Sequence, residues 1–181
     1  MVRSGFKLQW GPVRPPLTRF PPSFRPLASP AAQSALDAEV QALCLKEAVE
    51  EVLAPHSPGF YGRLFVVPKR TGGFRPVLDL SPLNVFLRHI RFRMETTKSV
   101  RLSLMPGDWV TSLDLTDAYF HVLIHRSHRK WLRFVWHDQV FQFRALPFGL
   151  SQSPWIFTMV VRQLCAKVHS LGIRMRVYLD D

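Results

Sequence analysis

Two short apolar runs that end in carboxylates constrain the fold of this chain more than any other feature. The first contains Asp114 in the run SLDL at 112–115, and the second is YLDD at 178–181. Both runs are typical of β-strands, and a sheet presents functional groups where its strands end. In isolation an Asp-Asp pair, or an Asp after an apolar run, is usually a turn. The interpretation therefore depends on the rest of the chain.

Three carboxylates that meet at strand ends repel one another unless a cation compensates their charge. Mg²⁺ favours carboxylate oxygens together with substrate phosphates and retained waters. Two such ions, about 4 Å apart, can hold the attacking and leaving oxygens of a phosphoryl displacement. Asp114, Asp180 and Asp181 therefore favour nucleotidyl transfer.

Four motifs, in order along the chain, resemble those of reverse transcriptases. VPKRTGGFRP at 67–76 is similar to the fingers hairpin of that family, and LDLTDAYF at 113–120 is similar to the motif with its first catalytic aspartate. LPFGLSQSP at 146–154 resembles the segment between the catalytic motifs, and YLDD resembles the Tyr-x-Asp-Asp box. The motifs extend from about Phe60 to Asp181 and are most similar to retrotransposon polymerases, DIRS-like or LTR-type.

The resemblance implies an α+β fold that consists of reverse-transcriptase fingers and a partial palm. Helices would pack on an antiparallel sheet that is truncated at the catalytic hairpin. The implied activity is that of an RNA-directed DNA polymerase, which extends a primer 3′-hydroxyl with deoxynucleoside triphosphates on an RNA or DNA template. Full-length relatives often also carry a ribonuclease H domain.

The resemblance also implies the residues of the site. Asp114, Asp180 and Asp181 would be catalytic and, with Leu115, would hold two Mg²⁺ ions, for which Mn²⁺ is an alternative. A ring at Tyr119 would lie under the incoming sugar and favour deoxynucleotides, and cations on the hairpin would neutralise the triphosphate. The implied nucleotide-binding residues are Lys69, Arg70, Arg75, Leu115, Tyr119, Phe148 and Gly149.

Composition divides the chain into three parts. Residues 1–33 form a basic arm rich in proline and arginine, with no acid before Asp37, and we expect this arm to be irregular or disordered. Residues 34–105 form the fingers-like part, with an N-terminal helix and the basic hairpin. Residues 106–181 form the partial palm with the aspartates.

Local patterns predict the individual elements. A capping box begins the first helix at Ser34, and Pro55 ends it. Strands at 63–67 and 74–80 flank the Gly-rich turn, and a second hairpin covers 131–144. Ser153 and Pro154 begin a helix that Gly172 stops. Alternation predicts strands at 109–115, with Leu113 and Leu115 toward the core, and at 173–179.

The charge of the chain indicates a polyanionic partner. There are 24 Lys and Arg against 13 Asp and Glu, a formal charge of +11. Nucleic acid is favoured over a lipid surface because no basic amphipathic helix is predicted. We expect no signal peptide, no membrane-spanning segment and an intracellular location, in the cytoplasm or nucleus. The oligomeric state stays open.

Two other functions remain open at this point. A non-catalytic nucleic-acid-binding remnant of a retroelement would use only the basic surface, and a two-metal nuclease would use the acids without a nucleotide site. Within these 181 residues we expect no partner strand for the final turn and none of the family's thumb or remaining palm. We therefore expect the 181-residue chain alone to be poorly active or inactive in primer extension.

Overall fold

The computed structural model describes residues 4–23, 27, 29–68, 70 and 74–177, apart from the side chain of Arg75. The predictions for Lys69, for the turn at 71–73 and for Asp180 and Asp181 lie outside these residues.

The described chain combines helices with antiparallel strands. A three-stranded sheet has the order β1 (Val49–Glu51), β5 (Gln139–Phe143), β4 (Arg133–Trp136), and β2 (Arg63–Pro68) and β3 (Phe74–Asp79) form a separate hairpin. This mixture confirms the predicted α+β class. Two 3₁₀ helices, Ala118–His121 and Arg126–Trp131, precede β4. The other elements are α1 (Pro30–Leu45), α2 (Ser81–Asn84), α3 (Thr97–Leu102) and α4 (Ser153–Ser170).

Both predicted hairpins are confirmed. In the basic hairpin Arg63 lies opposite Asp79, and Pro68 lies opposite Phe74. The β4–β5 hairpin turns through His137 and Asp138, whose φ angles are 45° and 62°. Two consecutive left-handed residues match the right-handed twist of the flanking strands, which is why such a turn can connect them directly.

Helix α1 begins and ends earlier than predicted. Ser29, not Ser34, is the N-cap, and its side chain accepts a hydrogen bond from the Ala32 amide at 3.4 Å. Pro30 follows it, because a proline at the first helical position has a suitable φ and loses no intrahelical bond. The helix ends at Leu45, well before Pro55, because the chain turns into β1. Its apolar face packs into the core through Leu36, Val40 and Leu43, whereas Cys44 is exposed.

The basic arm is irregular but, over residues 4–23, it is not disordered. Phe6 and Leu8 are only 2% and 3% exposed. The Phe6 amide donates to the Leu123 carbonyl at 2.7 Å, and the Gly11 amide donates to the Phe86 carbonyl at 2.8 Å. Burial of each apolar side chain contributes about 1.5–3 kcal/mol, which offsets part of the ordering entropy. The prediction of disorder was wrong here because these contacts come from residues far along the chain.

One apolar core joins the sheet to the helices. Its innermost side chains, which have no exposed surface, come from α2, from the segments around β4 and from the segment before α4. In the described part of the chain, none of the helices has the length and apolar character that a membrane crossing needs. The innermost side chains are Leu83, Ile124, Leu132, Phe134 and Leu146.

The strands predicted at 109–115 and 173–179 are not formed in the described residues. Neither segment has regular secondary structure or pairs with another strand there. Leu113 and Leu115 are 84% and 52% exposed, so the prediction that they face the core was wrong. A strand needs a neighbour for its backbone hydrogen bonds, and alternation within one segment cannot supply it.

Acidification should loosen the arm through His128. The Leu8 amide donates to His128 Nδ1 at 3.0 Å. Burial, followed by the charges of His125, Arg14, Lys7 and Lys130, lowers the His128 pKa to about 4. The unfolded chain therefore takes up this proton first, so the stabilisation is complete above pH 6.5 and is lost as the pH falls toward 4.

Hydrogen exchange of the Leu8 amide, corrected for its intrinsic rate, measures this effect between pH 7 and 4.5. We expect protection to fall over this range in the parent chain and to become insensitive to pH in His128→Gln. The exposed His56 supplies the matched control, His56→Gln, which should behave as the parent. Constant protection of Leu8 in the parent would contradict the assignment.

Candidate active site

The described part of the site is built around an aromatic cluster of Tyr119, Phe120, Phe148 and Phe157. The rings of Tyr119 and Phe148 lie 4.8 Å apart between centroids. Phe157 meets Tyr119 edge-on at 5.6 Å, and Phe120 meets Phe148 edge-on at 5.8 Å. These separations are favourable for aromatic pairs. The structure thus brings together two residues that the sequence predicts for nucleotide binding, Tyr119 and Phe148.

Gly149 forms the corner between Phe148 and helix α4. Its φ is +85°, which is a left-handed conformation that favours glycine. A Cβ on this residue would lie 3.3 Å from the carbonyl oxygen of Leu78 in β3. The corner therefore packs closely against the basic hairpin, and a third predicted nucleotide residue lies beside the aromatic cluster.

Asn84, at the end of α2, holds this corner with both ends of its amide. Its Nδ2 donates to the Gly149 carbonyl at 2.8 Å, and its Oδ1 accepts from the Ser151 amide at 2.9 Å. Sequence reasoning missed this residue. An asparagine two residues after a helix-starting Ser-Pro gave no sign that its partners lie more than 60 residues away.

Gln152 connects the corner to two other parts of the chain. Its side chain is 2% exposed, and its Oε1 accepts from the Gln9 amide at 2.9 Å. Its Nε2 donates to the carbonyls of Gln9, at 2.7 Å, and Arg88, at 3.1 Å. A buried amide is stable only when its polar atoms are paired, and here three bonds pair them. Sequence reasoning missed this residue too.

Asp117 starts the 3₁₀ helix that carries Tyr119. Its φ is +54°, and its carboxylate pairs with Lys46 at 2.8 Å. Asp117 lies at the N-terminal end of this helix. Its side chain makes no capping hydrogen bond. The ion pair instead ties the start of this helix to the end of α1.

Asp114 is exposed in the extended segment before Asp117. Asp180 and Asp181 lie outside the described residues, but the segment that leads to them is tied to the segment that leads to Asp114. Arg174 forms an ion pair with Asp108 and donates to the Ser103 carbonyl at 2.9 Å. The Met105 amide, followed by Arg174, lowers the pKa of Asp108.

The hairpin cations are only partly described. Arg70 lies exposed at the tip, and the backbone of Arg75 lies opposite Val67. Leu115 is exposed, as stated above. Within residues 4–177, as far as they are described, no group of three or more His, Cys, Asp or Glu side chains could hold a metal ion.

A separate cavity of about 470 Å³ lies between residues 93–99, helix α4 and residues 175–177. None of the predicted site residues lines it. Two contacts join residues of its lining: Arg162 donates to the Arg93 carbonyl at 3.0 Å, and Arg176 pairs with Glu95 at 3.4 Å. The aromatic cluster, not this cavity, coincides with the sequence motifs.

The sequence matches the family model described as reverse transcriptase (RNA-dependent DNA polymerase) over residues 67–181. This match covers well over half of the chain. The chain therefore belongs to the reverse transcriptase family, as its motifs predicted.

Curated relatives come from viral and transposon polyproteins. The chain is 26% identical over 159 residues to the genome polyprotein of Petunia vein clearing virus (isolate Hohn), a match that covers 83% of this chain and 7% of that protein. It is 31% identical over 120 residues to the Pro-Pol polyprotein of Simian foamy virus type 3 (strain LK3), covering 65% and 10%. It is 24% identical over 115 residues to the transposon Tf2-3 polyprotein of Schizosaccharomyces pombe, covering 64% and 8%. The chain thus spans a tenth or less of these relatives.

Solved structures share the fold. The protease-reverse transcriptase of prototype foamy virus matches with a TM-score of 0.69 and 19% identity, over 99% of this chain and 22% of that one. A foamy viral protease-reverse transcriptase in complex with an RNA/DNA hybrid matches with a TM-score of 0.71 and 19% identity, over 94% and 21%. These matches establish the predicted fold, a reverse-transcriptase fingers-and-palm fragment.

Removal of the Asn84 amide should release the corner. Asn84→Ala loses two hydrogen bonds, and we expect it to lower the free energy of unfolding by about 1–2 kcal/mol. Hydrogen exchange of the Ser151 amide should accelerate in the same variant. Urea unfolding and exchange measured by NMR provide the two readouts.

Asn84→Asp is the matched control, since it keeps the acceptor for the Ser151 amide and loses only the donor to the Gly149 carbonyl. Its Ser151 amide should stay protected. Equal protection of Ser151 in the parent and in Asn84→Ala would show that Asn84 does not hold the corner.

Proposed function

We propose that this chain is the fingers-and-palm part of an RNA-directed DNA polymerase. A primer 3′-hydroxyl attacks the α-phosphorus of a deoxynucleoside triphosphate, and pyrophosphate leaves. The observation that carries the proposal is the convergence of Tyr119, Phe148 and Gly149 on one corner, fixed by Asn84. Tyr119 comes from one motif, and Phe148 and Gly149 come from another about 30 residues later along the chain. The three residues meet at this corner, as a nucleotide pocket requires.

Each described residue of the corner has a role in this proposal. The Tyr119 ring lies under the incoming sugar, where it would collide with a 2′-hydroxyl, and Phe148 supports that ring from the side. Gly149 lets the backbone approach β3, so the hairpin can close over the nucleotide. Lys69, Arg70 and Arg75 neutralise the charge that develops on the triphosphate, and the Arg side chains can do so bidentately.

The carboxylates of Asp114, Asp180 and Asp181, together with the backbone carbonyl of Leu115, would form a set of hard oxygen donors that suits Mg²⁺ or Mn²⁺. Asp114 is exposed, so its carboxylate is accessible to such ions. Two bound ions would supply charge neutralisation at the attacking and leaving oxygens.

The ion pair between Arg174 and Asp108 supports the meeting of these acids. Asp114 and Asp180 each lie six residues beyond one member of that pair. Equal spacing from one shared ion pair favours a common position for the two aspartates in this proposal.

The proposed partners are an RNA or DNA template, a primer and deoxynucleoside triphosphates. The net charge of +11 and the solved foamy viral complexes with an RNA/DNA hybrid and with double-stranded DNA support this part. In this proposal residues 34–105 act as the fingers-like part and residues 106–181 as the partial palm.

Binding of deoxynucleoside triphosphate that depends on Mg²⁺ tests the aspartates directly. The 181-residue chain should bind dATP in Mg²⁺ and lose at least about tenfold in affinity in EDTA or in Asp114→Asn, because the cations lose a ligand. Asp138→Asn, an exposed substitution at the β4–β5 turn, is the matched control and should bind as the parent. Calorimetry that detects no metal-dependent binding in the parent would refute the proposal.

The ring of Tyr119 should set the preference for deoxynucleotides. In Tyr119→Ala the ratio of dATP to ATP affinity should fall about tenfold, because a clash of this kind is typically worth 1–3 kcal/mol. Tyr119→Phe keeps the ring and should keep the ratio. Competition binding in Mg²⁺ gives both affinities, and an unchanged ratio in Tyr119→Ala would assign the ring to core packing alone.

A further inference from the structure

The basic arm brings charged and aromatic side chains to a second surface, here named the basic-aromatic patch. The patch consists of arm residues and of residues from the 3₁₀ helix Arg126–Trp131. The hydrogen bond from the Leu8 amide to His128 holds the arm at this point. The nucleotide and metal residues proposed above are not part of it. Its members are Lys7, Trp10, Arg14, His128, Lys130 and Trp131.

Two packed rings form the floor of the patch, with a cation over each. The rings of Trp10 and Trp131 lie 4.7 Å apart between centroids. The Arg14 guanidinium lies 5.9 Å from the centroid of Trp10, and the Lys130 ammonium lies 4.8 Å from that of Trp131. Cations over indole faces are held in place at modest cost in side-chain freedom.

The patch concentrates positive charge without compensation from the neighbouring acid. His125, Arg14, Lys7 and Lys130 all act on His128 as like charges. Within the 3₁₀ helix Arg126–Trp131, Arg129 pairs with Glu50 at 2.8 Å, so this carboxylate is already engaged. Like charges held together cost free energy, which an anion at the surface would relieve.

We propose that the basic-aromatic patch binds the phosphate backbone of a nucleic-acid strand, as a contact separate from the aspartates and the nucleotide corner. Lys7 and Arg14 are exposed and Lys130 is half-buried, so several phosphates can be neutralised at once. A lipid surface fits less well, because Trp131 is 6% exposed and Trp10 is half-buried, so neither ring projects as a membrane anchor.

Fluorescence anisotropy with a labelled single-stranded RNA of 15 nucleotides, in EDTA and without nucleotides, tests the patch. The Lys7→Glu, Arg14→Glu double variant should bind about tenfold more weakly than the parent. The slope of log affinity against log salt should fall by about 1.4, the value for two lost phosphate contacts on a single strand. The exposed cations Arg63 and Lys167 give a double control of equal charge change, Arg63→Glu with Lys167→Glu, which should lose less than about twofold.

A second measurement uses the parent chain alone. A bound phosphate strand should raise the pKa of His128 toward its ordinary value, and NMR titration of the ring with and without the RNA measures this shift. Equal losses in the two double variants, an unchanged His128 titration, or binding to phosphatidylserine vesicles without binding to RNA would each overturn the proposal. The EDTA condition separates this result from the metal-dependent dATP binding that tests the proposed function.

Discussion

The buried amide of Gln152 is the interaction on which the rest of the structure depends. It lies where the arm, the segment after α2 and the start of α4 meet, and it bonds to the backbone of the first two. A buried amide that lost these partners would cost about 1–3 kcal/mol for each unpaired group. Its three bonds therefore hold the arm and the segment after α2 against the start of α4, next to the corner formed by Phe148 and Gly149.

The sequence predicted best those elements whose signals are local. The β4–β5 hairpin and helix α4 follow from turn residues and a Ser-Pro start within their own segments, and both are confirmed. Tyr119 and Phe148 were each predicted as nucleotide-binding residues from the resemblance of their motifs, not from periodicity in the chain, and the structure brings their rings together. The arm was predicted wrongly because the burial of Phe6 and Leu8 depends on residues more than 100 positions away. Asn84 and Gln152 were missed because an amide shows its partners only in three dimensions.

The extended segments around Asp114 and Ile173 show the limit of periodicity. Alternation predicts which side chains share a face, but it cannot supply the neighbouring strand that makes that face internal. Trp109 and Leu113 are accordingly exposed, although their pattern is that of a buried strand. In the described chain the ion pair between Arg174 and Asp108 joins the two segments, and backbone pairing does not.

The bonds between Gln9 and Gln152 span 143 positions and have a consequence for synthesis on the ribosome. At typical elongation rates of 5–20 residues per second, Gln152 is added about 7–30 s after Gln9. During that interval Phe6, Leu8 and Trp10 have left the tunnel without the residues that later cover them. The arm is thus among the last parts of the described chain to reach its final place, and chaperones have a defined window in which to hold it.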